Sequence, residues 1–255
     1  MNSLTQQKIS DLFLNNIYVL PLWVKQVVYM KTKERLREEL ADFLEVLSPD
    51  QLFQHHQPKL TFKGRRELEQ RTLGLPEDYY AFLANAADDY DMLEITLSNY
   101  WTLAESSKMF IRGVELELLE QPACERNYVI SQYLAGKLRT GELLKRLGKI
   151  DVNQLEQAIR EQKERQRNGE NAMIADVIIS LGYITHKDID ILLAFKEESK
   201  KRFIMGIGLS TIKVDGIEMS EKQQLVNNMQ KEMKKLDQEN RILKARLRKL
   251  LNIKE

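Results

Sequence analysis

Two groups of side chains in this sequence could do chemistry. His55 and His56 are neighbouring imidazoles, and His186 and Cys124 are the other soft donors. A helix offers two histidines to one metal when they are about a turn apart, which an adjacent pair is not, so no metal site is expected. A Cys124 nucleophile would need a positioned base, and an ordinary free thiol is the expectation. Asp88, Asp89 and Asp91 crowd carboxylates that could draw a cation, but the run lacks the glycine turn of a calcium loop. A solvated loop is expected there. Gly206-Ile207-Gly208 lacks the third glycine of a dinucleotide fingerprint, and no G-x-x-x-x-G-K-[ST] phosphate loop occurs. No acid, base and nucleophile converge, so the expectation is a non-enzymatic chain with no cofactor.

The elements that would position these residues are helical. The chain has 255 residues, of which 30% are charged and 43% hydrophobic, with only 5 Pro and 11 Gly. That composition fits a globular protein with an ample core. The net charge of +1 exerts no global pull on nucleic acid or anionic membrane. A single cysteine permits no internal disulfide and suits a reducing compartment, so a cytoplasmic location is expected. The apolar run from Leu12 to Val24 is broken by Asn15, Asn16 and Pro21, too short for the about 20 residues of a membrane span. It also lacks the flanks of a signal peptide.

Helical spacing recurs along the first half. Leu36, Leu40, Phe43, Leu44 and Leu47 follow one helix face. Ser48-Pro49 caps a new start. Lys59 to Phe62 reads as a short extended piece before a helix near Lys63, and another helix begins at Pro76. Thr102 with Glu105 has capping-box spacing, ahead of a helix carrying Phe110, Ile111, Val114, Leu118 and Leu119. Trp23, Trp101 and the tyrosines read as core or interface anchors. Residues 1–121 are therefore expected to form an all-helical N-terminal domain, with a boundary at Pro122. The stretch from Asn99 to Leu119 could also be a helix-turn-helix, which makes a DNA-binding regulator the alternative function. Its second helix carries too many carboxylates for a phosphate-facing element, so nucleic acid is not the favoured partner.

Residues 126–200 form the second expected domain. Leu143, Leu144 and Leu147 make the face of a short helix, Gly148 sits where a left-handed stop is wanted, and Asp151 with Gln154 can cap the next helix. Leu155, Ala158, Ile159 and Gln162 continue it. The pattern returns after about 34 residues. Gly182 matches Gly148, Ile184 matches Ile150, Thr185 matches Asp151, and Asp188 matches Gln154. Ile189, Leu192 and Leu193 match Leu155, Ala158 and Ile159. The fold expected here is a tandem helix-turn-helix-like repeat.

The first copy, Arg-x-Gly-x-x-Leu-Leu-x-x-x-Gly-x-Ile and then Leu-x-x-Ala-Ile-x-x-Gln, resembles the N-terminal domain of type II secretion and type IV pilus assembly ATPases. The resemblance covers residues 137–200. It implies cyclic di-GMP as a ligand, held through Arg139, Gly141, Leu143, Leu144, Gly148 and Gln162. A guanidinium can pair with a phosphate or a guanine edge, and a glycine lets the backbone approach a ligand. The second copy departs from the pattern at the polar positions, with Met173, Ala175 and Lys196 in place of Arg139, Gly141 and Gln162.

Residues 203–220 read as a connector with a hairpin signal at Asp215-Gly216. Residues 222–252 carry a heptad. Val226, Met233, Asn240 and Leu247 fall at the a positions, and Met229, Leu236, Leu243 and Leu250 at d. Leucine at d with one Asn at a favours a parallel two-stranded coil, hence a homodimer. The fold class expected is mainly α, and the function expected is an adaptor or regulator that docks a protein partner in secretion or pilus machinery, under cyclic di-GMP control.

Overall fold

The computed structural model describes residues 21–203, and these contain eleven α-helices and two single-turn 3-10 segments. The helices are α1 (Leu22–Thr32), α2 (Glu34–Phe43), α3 (Phe62–Gln70), α4 (Glu77–Ala87), α5 (Met92–Ser98), α6 (Leu103–Glu115), α7 (Glu125–Leu134), α8 (Thr140–Arg146), α9 (Val152–Arg167), α10 (Ile174–Ser180) and α11 (His186–Ser199). The 3-10 turns, Pro49–Gln51 and Phe53–His55, lie between α2 and α3. The expected hairpin connector and coiled coil, with Val226 to Leu250, lie outside the described residues, as does most of the apolar N-terminal run. No described helix is long and apolar enough to cross a membrane.

Helix starts follow the side chains that can satisfy free backbone N–H groups. Asp91, Thr102, Asp151 and Thr185 each close a full capping box with the Glu, Gln or Asp three residues on. Thr61 caps α3 by accepting from the Gly64 N–H at 3.0 Å. Ser48 caps a start too, but only of the single turn Pro49–Gln51.

Two readings of the sequence need correction. The face from Leu36 to Leu47 is cut short, because α2 ends at Phe43 and Glu45 turns left-handed at φ 54°. Leu40, Phe43 and Leu44 are buried, whereas Leu47 is 95% exposed. Leu118 and Leu119 are not on α6. The helix stops at Glu115, Glu117 reverses the chain at φ 60°, and the two leucines return as an extended segment bridged to Leu60. Both are still buried, so their hydrophobicity was informative and their periodicity was not. Of the two tryptophans read as core or interface anchors, Trp101 is buried in the core and Trp23 is 66% exposed on α1.

The bridge explains Gly64. Thr61 N–H donates to the Leu118 carbonyl at 3.1 Å, and Glu120 N–H to the Lys59 carbonyl at 2.8 Å. A Cβ on Gly64 would lie 2.0 Å from the Leu118 oxygen, so α3 can lie on this segment only with glycine there. Glu67, buried on the same helix, accepts from Thr72, Leu73 and Tyr80 and staples the α3–α4 turn. Burial raises its pKa, but those donors outweigh it and hold the carboxyl below its ordinary value.

The Pro122 boundary does not separate two cores. One cluster of buried side chains runs from Leu40 through Phe82, Phe110 and Tyr133 to Leu144, Ile178 and Phe195. Helix α6 is its centre, packed against α5 and α7, and α11 packs on α2. The described residues belong to one compact unit.

Candidate docking face of the tandem repeat

The two sequence-matched segments fall on α8–α9 and α10–α11, and each pair carries a glycine stop and a capping box. Each first helix ends in a left-handed glycine, Gly148 at φ 71° and Gly182 at φ 72°. Gly148 N–H reaches the Lys145 carbonyl at 3.0 Å, and Lys149 N–H the Leu144 carbonyl at 2.9 Å. In the second copy Gly182 N–H reaches Ile179 at 2.8 Å, and Tyr183 N–H reaches Ile178 at 3.2 Å. This is the Schellman arrangement, which satisfies the last carbonyls of a helix. Each second helix then starts in a capping box.

Most of the six residues that the resemblance implies as ligand contacts are committed to this architecture. Leu143 and Leu144 are wholly buried. Gly141 lets α9 come close, since a Cβ there would stand 2.8 Å from Leu155 Cδ1 and 3.6 Å from Ile174 Cγ1. Gly148 makes the stop. Gln162 donates from Nε2 to the Ala172 carbonyl at 3.0 Å and braces the segment between the copies. Arg139 occupies the N-cap position of α8 without a capping bond. It alone of the six is an exposed cationic side chain.

Two further pairs tie α9 to the second copy. Arg165 bonds Ser180 Oγ at 3.0 Å, and Tyr183 donates to Gln157 Oε1 at 2.7 Å. Sequence reasoning passed over both, because neither residue stands at a repeated position with a matching partner. The second copy also spends its divergent polar residue. Lys196, at the place of Gln162, lies 4.4 Å above the Tyr133 ring. Burial, and then Lys200, lowers its pKa.

Position 159 and its equivalent 193 are left over in both copies. Leu155 and Ala158 are buried, as are Ile189 and Leu192, but Ile159 is 37% and Leu193 43% exposed. On α9, the longest described helix, Val152 is exposed on the same side as Ile159, seven residues earlier.

Two open clefts lie elsewhere. One of about 460 Å³ is lined by the 3-10 turns and the α6–α7 connection, with His55, His56, Lys59 and Cys124 on its walls. Another of about 560 Å³ lies between α2 and the second-copy turn, with Phe43, Lys149, Tyr183 and Ile184. Neither is lined by Arg139, Gly141 or Gln162. In the first cleft His55 is fully engaged. Arg37 Nη2 lies 3.0 Å from its Nε2, and Asp91 Oδ2 lies 3.1 Å from its Nδ1. A guanidinium only donates, so Nε2 accepts and Nδ1–H donates to Asp91. Asp91 thereby caps α5 and orients His55 together. The carboxylate run is thus in part structural rather than a solvated loop. Among the described residues, no group of three or more His, Cys, Asp or Glu side chains is placed to hold a metal ion.

Compared with protein-family models, curated proteins and solved structures, the chain finds no match in any of the three.

Proposed function

We propose that this chain is a non-enzymatic adaptor that docks a protein partner through the outer face of α9. One observation carries the reading: Val152 and Ile159 are exposed on one side of that helix while Leu155 and Ala158 fill the core beneath it. A stripe that already satisfies the core and still leaves aliphatic side chains in water is the pattern of a helix with a second contact to make. The bonds from Gln162 to Ala172, Arg165 to Ser180 and Tyr183 to Gln157 hold the helix rigid for that purpose. The resemblance of residues 137–200 is what ties this reading to secretion or pilus machinery. Control by cyclic di-GMP draws less support, since one exposed cation remains of the six implied contacts. A DNA-binding role draws none from α6, where Leu103, Ala104, Ser106, Ser107, Phe110, Ile111 and Gly113 are buried.

Photo-crosslinking in the native cell tests the proposal. A benzophenone side chain placed at 152 or 159 should capture one and the same protein, and one at exposed Asp176 should not. Absence of a common product from 152 and 159 would sink it.

A further inference from the structure

Where α11 meets α1, α2 and the second 3-10 turn, the structure encloses a small cavity of about 10 Å³. Its walls are Leu36, Leu40, Leu103 and Phe195 on the apolar side and Tyr29, Arg37, Gln54 and Ser199 among the polar ones. Two of the lining residues each carry a buried polar atom without a protein partner, and the two atoms are complementary. Arg37 Nε–H is a donor and Gln54 Oε1 an acceptor. Arg37 is otherwise well held, with its Nη2 on His55 at 3.0 Å and near Asp50 at 3.6 Å. Gln54 is 1% exposed, so bulk solvent cannot serve its carbonyl.

We infer that this cavity is a binding site for one structural water, which accepts from Arg37 Nε–H and donates to Gln54 Oε1. The size admits a single molecule, because about one probe sphere of free volume is what a buried water needs. The polarity requires it, since an unsatisfied buried donor or acceptor costs about 1–3 kcal/mol and here two would be left together. Tyr29 and Ser199 also line the cavity; with Ser199 Oγ donating to the Lys196 carbonyl, its oxygen is left as an acceptor for the third bond such waters usually make. Burial pushes the Tyr29 pKa up to about 12, so this hydroxyl keeps its proton. The water completes a polar chain from Asp91 through His55 and Arg37 to Gln54, beside the Lys33–Glu198 ion pair that fastens α11 to the start of α2. The wet polar seam then lies within the N-terminal elements, at the place where Phe195 and Ser199 of α11 pack against them.

A high-resolution crystal structure of the full chain tests this. The expected result is one density peak about 2.7–3.2 Å from both Arg37 Nε and Gln54 Oε1. An empty cavity, or Arg37 Nε and Gln54 Oε1 in direct contact, would overturn the inference. In solution, a water cross-relaxation signal to the Arg37 Hε proton should be present in the wild type and lost in Gln54→Leu. Its absence in the folded wild type would likewise overturn it.

Discussion

In the first copy of the repeat, Gln162 closes a hydrogen bond to the chain that leads into the second. At the equivalent place in the second copy, Lys196 lies over Tyr133 of α7. Glu164 of the first copy is exposed on α9, whereas its counterpart Glu198 is paired with Lys33. The copies agree in the glycine stops, the capping boxes and the buried aliphatic pairs. They differ where each touches something the other does not. The first copy turns its long helix outward, and the second packs its long helix on α2. Packing and backbone devices belong to the unit, and polar residues belong to its surroundings.

The largest effects should be the same in both copies. Leu144 and Ile178 are equivalent and fully buried, so Leu144→Ala and Ile178→Ala should each cost about 2–5 kcal/mol in denaturant unfolding. A cost confined to one copy would break the equivalence. Gly148→Ala and Gly182→Ala come next. A Cβ at either meets nothing within 4 Å, so only the left-handed backbone resists, at about 1–2 kcal/mol each.

The polar substitutions should separate the copies. Gln162→Ala removes one bond to a backbone carbonyl and should cost about 1 kcal/mol. Glu198 should give the second copy an acid sensitivity. Burial raises the Glu198 pKa, but bonds to Lys201 and Lys33 outweigh it and hold the carboxyl below its ordinary value. A depressed folded pKa means stability that is present above the unfolded value of about 4.5 and is lost as pH falls through the folded one. The melting temperature of the wild type should therefore fall more steeply below that pH than that of Glu198→Gln. Equal slopes would deny the ion pair its role. The smallest effect belongs to Arg139→Ala, which should leave stability within about 0.5 kcal/mol.

The sequence was most legible where one residue type has one local job. The pairs Thr102 and Glu105, Asp151 and Gln154, and Thr185 and Asp188 announced three helix starts, and Gly148 and Gly182 two stops. It was least legible where chain reversal depends on a residue outside its usual conformation. Glu45 and Glu117 adopt positive φ without being glycine, so periodicity ran on through Leu47 and Leu119. The seam of Arg37, His55 and Gln54 was hidden for another reason. Arg37 stands on α2, Gln54 and His55 on the second 3-10 turn, and what joins them is what the tertiary fold leaves unpaired. The motif of the first copy was legible as a pattern, but the same spacing serves a ligand site and a helix pair. The burial of Leu143 and Leu144 and the bond from Gln162 account for three of its positions by packing alone.

The central claim is that Arg139 to Gln162 is a scaffold for docking rather than a nucleotide site. Calorimetric titration of cyclic di-GMP into the full chain, with Arg139→Ala in parallel, tests it most directly. No binding heat is expected from either protein. Saturable binding by the wild type that Arg139→Ala abolishes would contradict it and would make the motif a second-messenger site.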